Sequence, residues 1–242
     1  MKKIKLFCIP YAGGGAMAYS KWKNYMDGAI ELCPVELAGR GKRFRTPSYN
    51  TMEDATNDVY NIVMDDLDKF EYAFWGHSMG CLIVYELINR IASSNHRDPS
   101  HIFLSGRYPP HIYKNKSRHT LPDDQFIQEI SKLGGTANEL LREKELLDIF
   151  IPILRADYRI VENYKHSKQY AKWNFDITIL TGNSDEDVSA KDIIQWEEYT
   201  NKKCRIINFD GGHFFIHDRV QEIAEIINDT LVCKCFEIER GD

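Results

Sequence analysis

The feature that most constrains this chain is a five-residue run, Gly76-His77-Ser78-Met79-Gly80, lodged between two segments of opposite character. Tyr72–Trp75 ahead of it reads as a buried strand, and Cys81–Ala92 behind it reads as a helix. A G-x-S-x-G run in that context calls for a sharp strand-to-helix turn. Small residues on both flanks let the backbone double back, which exposes the serine hydroxyl at the tip. The N-terminus of the following helix adds a favourable field for negative charge developing there.

The rest of the chain repeats the same alternation. Ile4–Ile9, Ile102–Leu104, Ile177–Leu180 and Arg205–Phe209 are further apolar runs that end in loops, as buried parallel strands do. Helical stretches lie between them. In Thr51–Leu67, residues Val59, Ile62, Val63 and Leu67 recur at helical spacing, with Asp58, Asp65 and Asp66 on the polar side. The expectation is one α/β domain over residues 1–242, with a mostly parallel central sheet and helices on both faces. From about Leu121 to Tyr164 no strand intervenes, and Leu140, Leu141, Leu146, Leu147, Phe150 and Ile151 supply an apolar stripe. That length exceeds an ordinary connection, so an inserted helical lid is expected there, with Gly134-Gly135 as its hinge.

A serine hydroxyl is a weak nucleophile and needs a base. In the α/β-hydrolase fold that this elbow resembles, the chain order is serine, then acid, then histidine, with the histidine after the last strand. His213 fits, because Phe209 closes a strand and Asp210-Gly211-Gly212 makes the turn. His217 competes, but no glycine turn presents it; His77 beside the nucleophile is expected to be structural. The acid must orient the imidazole. Asp185, three residues past Gly182, is the choice, with Asp187 as runner-up and Asp210 too close to His213 in sequence. The oxyanion hole would use the backbone amides of Met79 and Ala12, the latter in the glycine run after the first strand. That run lacks both a following G-K-[ST] and the pattern G-x-G-x-x-G, so it does not read as a nucleotide site.

The net charge of −5 gives no general attraction for nucleic acid or acidic membranes. The opening Met1–Pro10 briefly imitates a signal peptide, but Lys5 and Pro10 interrupt its apolar stretch. No run approaches a membrane span, and the six cysteines form neither a zinc pattern nor a disulfide framework. Cys233 and Cys235 read as alternation in a terminal strand or tail. A cytoplasmic monomer with reduced thiols and neither metal nor cofactor is expected.

Several motifs in order resemble the type II thioesterases that accompany nonribosomal peptide and polyketide synthetases. Pro10-Tyr11-Ala12-Gly13-Gly14-Gly15 is similar to the family's opening loop, and Glu36 to Arg43 to its P-G-R-x-x-R segment, with Ala38 in place of the usual proline. Gly76–Gly80, Ser105-Gly106-Arg107, Pro152 to Asp157, Gly182 to Val188, Trp196 and Asp210 to Phe215 follow in the family's order. Cys81 stands where the family often has alanine. The resemblance implies hydrolysis of acyl thioesters held on the phosphopantetheine arm of an acyl or peptidyl carrier protein, in an editing role. The triad alone leaves room for an esterase or lipase acting on small oxygen esters, and a non-catalytic carrier-binding module is the third reading. Carrier proteins are acidic, so docking requires a local basic surface; Lys42 and Arg45 are the candidates, with Arg40 and Arg43 free to brace their loop instead.

Overall fold

The computed structural model describes residues 3–134, 144–166 and 171–238. Among these, six strands form one sheet: β1 (Ile4–Ile9), β2 (Ile30–Pro34), β3 (Tyr72–His77), β4 (His101–Ser105), β5 (Ile177–Gly182) and β6 (Cys204–Phe209). Their order is β2-β1-β3-β4-β5-β6, and every neighbouring pair is parallel. Side chains alternate between the faces of such a sheet, and here both faces are covered. On β3, Tyr72 and Phe74 pack towards α1 (Met52–Leu67) and α2 (Met79–Ser93). Ala73 and Trp75 pack towards the opposite layer, made by α6 (Val220–Ile238) and the turn of 3-10 helix at Ala16–Asn24. That two-sided burial is why Tyr72–Trp75 is apolar without interruption.

α1 begins where its sequence says it should. The Thr51 hydroxyl accepts from the Asp54 amide and the Asp54 carboxylate accepts from the Thr51 amide, both at 3.0 Å, a reciprocal cap on two orphan donors. Its buried stripe is Met52, Ala55, Val59, Val63 and Leu67, whereas Ile62, expected on the apolar side, is 43% exposed. The polar side is put to use: Lys5 reaches Asp66 at 2.7 Å, and Arg43 and Tyr49 both bind Asp58.

Between β4 and β5 lie α3 (Asp123–Ser131) and α4 (Lys144–Glu162), within the segment read as a lid. Phe126, Ile130 and Leu154 form a small core of their own, joined by Leu121, Phe150, Ile151, Tyr158 and Ala12. Leu146, expected in the apolar stripe, is half exposed. Gly135, Leu140 and Leu141 lie outside the described residues; Gly134, with φ +82 and open space around it, lies inside. A short helix α5 (Ala190–Ile193) joins β5 to β6. The chain around Cys233 and Cys235 corrects the reading of a terminal strand or tail: its backbone continues α6, whose buried Ile223, Ile227 and Leu231 repeat every four residues. No helix among the described residues is long and apolar enough to cross a membrane.

Candidate active site

In an open parallel sheet, ligands bind beyond the carboxyl ends of the strands, at the point where the strand order reverses. Here that point falls between β1 and β3. β1 runs into the Tyr11–Gly15 loop, and β3 runs into Ser78.

Ser78 has φ 53 and ψ −111, a conformation costly for any residue with a side chain. The turn is held because the Ser78 amide donates to the Ser105 carbonyl at 2.8 Å and the Ser78 carbonyl accepts from Cys81 at 3.1 Å. The flanking glycines are demanded by space. A Cβ on Gly76 would lie 2.6 Å from the Gly80 carbonyl oxygen, and one on Gly80 would drive into the carbonyl of Ile9. Cys81, one turn behind, donates its thiol to the carbonyls of Gly76 and Ser105 at 3.1 and 3.2 Å. Burial pushes that thiol up to about 12, which keeps it protonated and out of competition with Ser78.

His213 Nε2 stands 2.9 Å from Ser78 Oγ, and His213 Nδ1 stands 2.7 Å from Asp185 Oδ2. Asp185 and His213 are both buried, while Ser78 is partly open. Two loops are laced together to achieve this. Asn183 and Ser184 donate their amides to the carbonyls of Phe209 and Gly211 at 2.9 and 3.0 Å, and the Asn183 amide group donates to Asp210 at 2.7 Å. The second oxygen of Asp185 accepts from the Asp187 amide at 2.9 Å.

The other candidates are occupied elsewhere. The Asp187 carboxylate lies against Lys116 at 2.5 Å and Arg118 at 2.9 Å. Burial works against its charge, yet these hydrogen bonds and charges prevail and hold its carboxyl well below the usual carboxylate range. His217 meets the Tyr11 hydroxyl at 3.1 Å. His77 is fully buried with Nδ1 at 2.9 Å from the Ser105 hydroxyl; burial, then the His213 and His217 rings, push its pKa well below the ordinary histidine value.

Met79 is the first residue of α2, so its N–H has no acceptor within the helix. Ala12, Ser78, Met79 and His213 line one cavity of about 440 Å³, whose far wall includes Tyr158 and Val161 of α4. Ala12 belongs to a loop pinned from two sides. Asp157 of α4 accepts from the Gly13 amide at 2.8 Å and from both terminal nitrogens of Arg40 at 2.7 and 2.8 Å; Arg40 also donates to the Gly14 carbonyl at 2.9 Å. Both partners are buried, with 6% and 1% of their side chains exposed. Arg40 therefore braces its loop, and Arg43 does the same through Asp58, leaving Lys42 and Arg45 exposed. The role of Asp157 has no signal in local spacing, since its partner is 117 residues away. Asp157→Ala is expected to cost about 3–5 kcal/mol, because it strands a buried guanidinium. Chemical denaturation measures this directly, and a loss under about 1 kcal/mol would mean that water reaches Arg40 freely. Among the described residues no cluster of His, Cys, Asp or Glu is arranged to hold a metal ion.

The family model described as "Thioesterase domain" matches residues 4–231, which takes in all six strands. The gramicidin S biosynthesis protein GrsT of Aneurinibacillus migulanus is 34% identical over 229 residues, covering 93% of this chain and 88% of its own. The crystal structure of ClbQ from the colibactin NRPS/PKS pathway superposes with a TM-score of 0.91 at 37% identity, over 98% of this chain and 99% of that one. The type II thioesterase BorB from the borrelidin biosynthetic cluster superposes with a TM-score of 0.86 at 27% identity, over 95% and 93%. With a match that runs from the first strand into the last helix, and relatives of the same extent, the chain belongs to the thioesterase family of α/β-hydrolases and is a serine thioester hydrolase.

Proposed function

We propose that this protein is a type II, editing thioesterase, which removes stalled or incorrect acyl groups from the phosphopantetheine arms of carrier proteins in a nonribosomal peptide or polyketide assembly line. One observation carries the reading: Ser78, His213 and Asp185 form a single hydrogen-bonded chain that opens into a cavity beneath the β4–β5 insertion. The pathways named for GrsT, ClbQ and BorB supply the setting. The enzyme acts as a cytoplasmic monomer, and the insertion serves as a lid over the acyl chain.

In the first step Ser78 Oγ attacks the thioester carbonyl while His213 Nε2 takes its proton, and the amides of Met79 and Ala12 hold the oxyanion. The C–S bond then breaks, and His213 returns the proton to the departing thiolate. In the second step His213 takes a proton from water, the resulting nucleophile attacks the acyl-serine, and the proton passes back to Ser78 as the acid leaves. Asp185 keeps Nδ1 protonated, so that Nε2 is free to accept at each stage.

Docking of the acidic carrier falls to Lys42 and Arg45, which flank Phe44, itself 57% exposed, on a loop leaving the same edge of the sheet as the site. The test compares one acyl group presented on a carrier protein, on a small thiol and as an oxygen ester. The carrier thioester is expected to give the highest kcat/KM; equal or better turnover of the oxygen ester would favour a free-standing esterase. Reversing both charges (Lys42→Glu with Arg45→Glu) is expected to raise KM for the carrier substrate by about 5- to 10-fold and to flatten its salt dependence, with far less effect on the small thioester. Equal losses on both would indicate damage to the site rather than lost docking.

A further inference from the structure

One wall of the cavity carries more positive charge than its carboxylates balance. Arg107, Lys114, Lys116 and Arg118 all line it. Lys114 is paired with Asp192 at 2.7 Å, and Lys116 and Arg118 share Asp187. Glu162, also on the wall, is engaged by the His119 ring at 2.6 Å and by the amides of Arg118 and His119, each at 2.9 Å. Arg107 has no carboxylate partner among the described residues, and its Nε is buried with no hydrogen-bond acceptor. Its guanidinium lies 4.4 Å over the Tyr108 ring, and the Lys114 ammonium lies 4.5 Å from the centre of the same ring. Contact with an aromatic face attracts a cation but fills none of its in-plane N–H donors. A buried donor left unfilled is costly, and this protein has carboxylates in excess. Arg107 lines the cavity, so an acceptor carried on a ligand there is within its reach.

The backbone anchors Arg107 next to the reacting residues. Arg107 follows Ser105, whose carbonyl holds the Ser78 amide, and Gly106, where a Cβ would lie 3.5 Å from the His213 ring. The Arg107 carbonyl is itself held by Trp196 Nε1 at 2.9 Å. Arg107 thus leaves the backbone beside the reacting centre and lines the same cavity as Ser78 and His213, whereas the phosphate of a pantetheine arm lies at the far end of that arm.

We propose that Arg107 selects the acyl group, binding a carboxylate carried on the acyl chain, as in the half-thioester of a short dicarboxylic acid. A guanidinium offers two parallel donors that match a carboxylate, and the pairing is strong where water is partly excluded. The inference rests on the thioesterase reading above and names the substrate class of that same site.

The test uses N-acetylcysteamine thioesters, and the matching coenzyme A thioesters, at two chain lengths, malonyl against butyryl and glutaryl against hexanoyl. Wild type, Arg107→Met and Arg107→Lys are compared, each checked for a wild-type melting profile. The measured quantity is the ratio of kcat/KM for the charged over the neutral thioester. In Arg107→Met this ratio is expected to fall by about 10- to 100-fold at one chain length or both, with Arg107→Lys recovering part of it. A ratio unchanged within about 2-fold at both lengths would overturn the proposal. So would a loss confined to coenzyme A thioesters, equal for charged and neutral acyl groups, which would assign Arg107 to the phosphate of the arm. Wild-type inactivity on every thioester would remove the thioesterase reading and this inference together, whereas normal activity with an unchanged ratio removes this inference alone.

Discussion

Ser78→Ala is expected to lower kcat by about four to six powers of ten, because the proposed nucleophile is gone while the cavity and the amides that line it stay. The fold should survive. Ser78 sits at φ 53, and alanine inherits the same strained turn, so neither relief nor new strain is introduced there. The only bond lost is the one to His213 Nε2, at a partly open position, which is worth about 1 kcal/mol. A melting curve close to wild type, together with the loss of turnover on any thioester, is the expected pair of observations. Retention of even a tenth of the activity in a well-folded variant would show that the nucleophile lies elsewhere. Cys81 could not replace it, since its thiol is buried and engaged by two carbonyls behind the elbow.

The parts legible in the sequence were those where one physical requirement dominates. Gly76 and Gly80 are demanded by backbone atoms within van der Waals range, and β1, β3, β4 and β5 are apolar because they are covered on both faces, whereas the edge strand β6 exposes Arg205 and Asn208 and is legible through Ile206, Ile207 and Phe209. β2 is not legible because its five residues carry no strand pattern: only Ile30 is fully buried, Glu31 faces solvent, and Pro34 ends the run, so neither alternation nor an apolar block appears. The last helix was obscured by Cys233 and Cys235, whose two-residue spacing imitates a strand, while the four-residue repeat of Ile223, Ile227 and Leu231 lies just before them. Ile62 falls outside because the buried stripe of α1 runs through Val59, Tyr60, Val63 and Leu67, and Ile62 lies at the margin of that stripe, turned about 100° from Val63. Arg40 reads as a loop brace and is one, but its pairing with Asp157 is illegible for a different reason. Each is an ordinary charged residue in its own segment, and only the packing of α4 over the Tyr11–Gly15 loop makes them partners.

The two carboxylates of the acid loop should separate cleanly under mutation. Asp185→Asn is expected to lower kcat by about 10³- to 10⁴-fold with little change in KM. An asparagine amide facing His213 Nδ1 would donate where the carboxylate accepts. That favours the tautomer with the proton on Nε2, and such an imidazole cannot take the proton of Ser78. The developing imidazolium also loses its counter-charge. Asp187→Asn removes no contact to His213. It weakens the pairs to Lys116 and Arg118, which tie the acid loop to the segment entering the β4–β5 insertion, and about 1 kcal/mol of stability is the expected cost at these half-open positions. Its activity should remain within about 10-fold of wild type, because the amide that donates to Asp185 Oδ1 is backbone and survives the change. The pH dependence of stability offers a second discriminator. The Asp187 carboxyl is held below its unfolded value by Arg118 and Lys116, so its contribution is present above the ordinary aspartate pKa of about 4 and is lost as pH falls below it. Wild type should therefore lose more stability than Asp187→Asn on acidification through that region, and the two melting curves should converge. If Asp187→Asn instead abolished turnover while Asp185→Asn kept it, the orienting role would pass to Asp187, and the hydrogen bond between Asp185 and His213 would have to be read as structural.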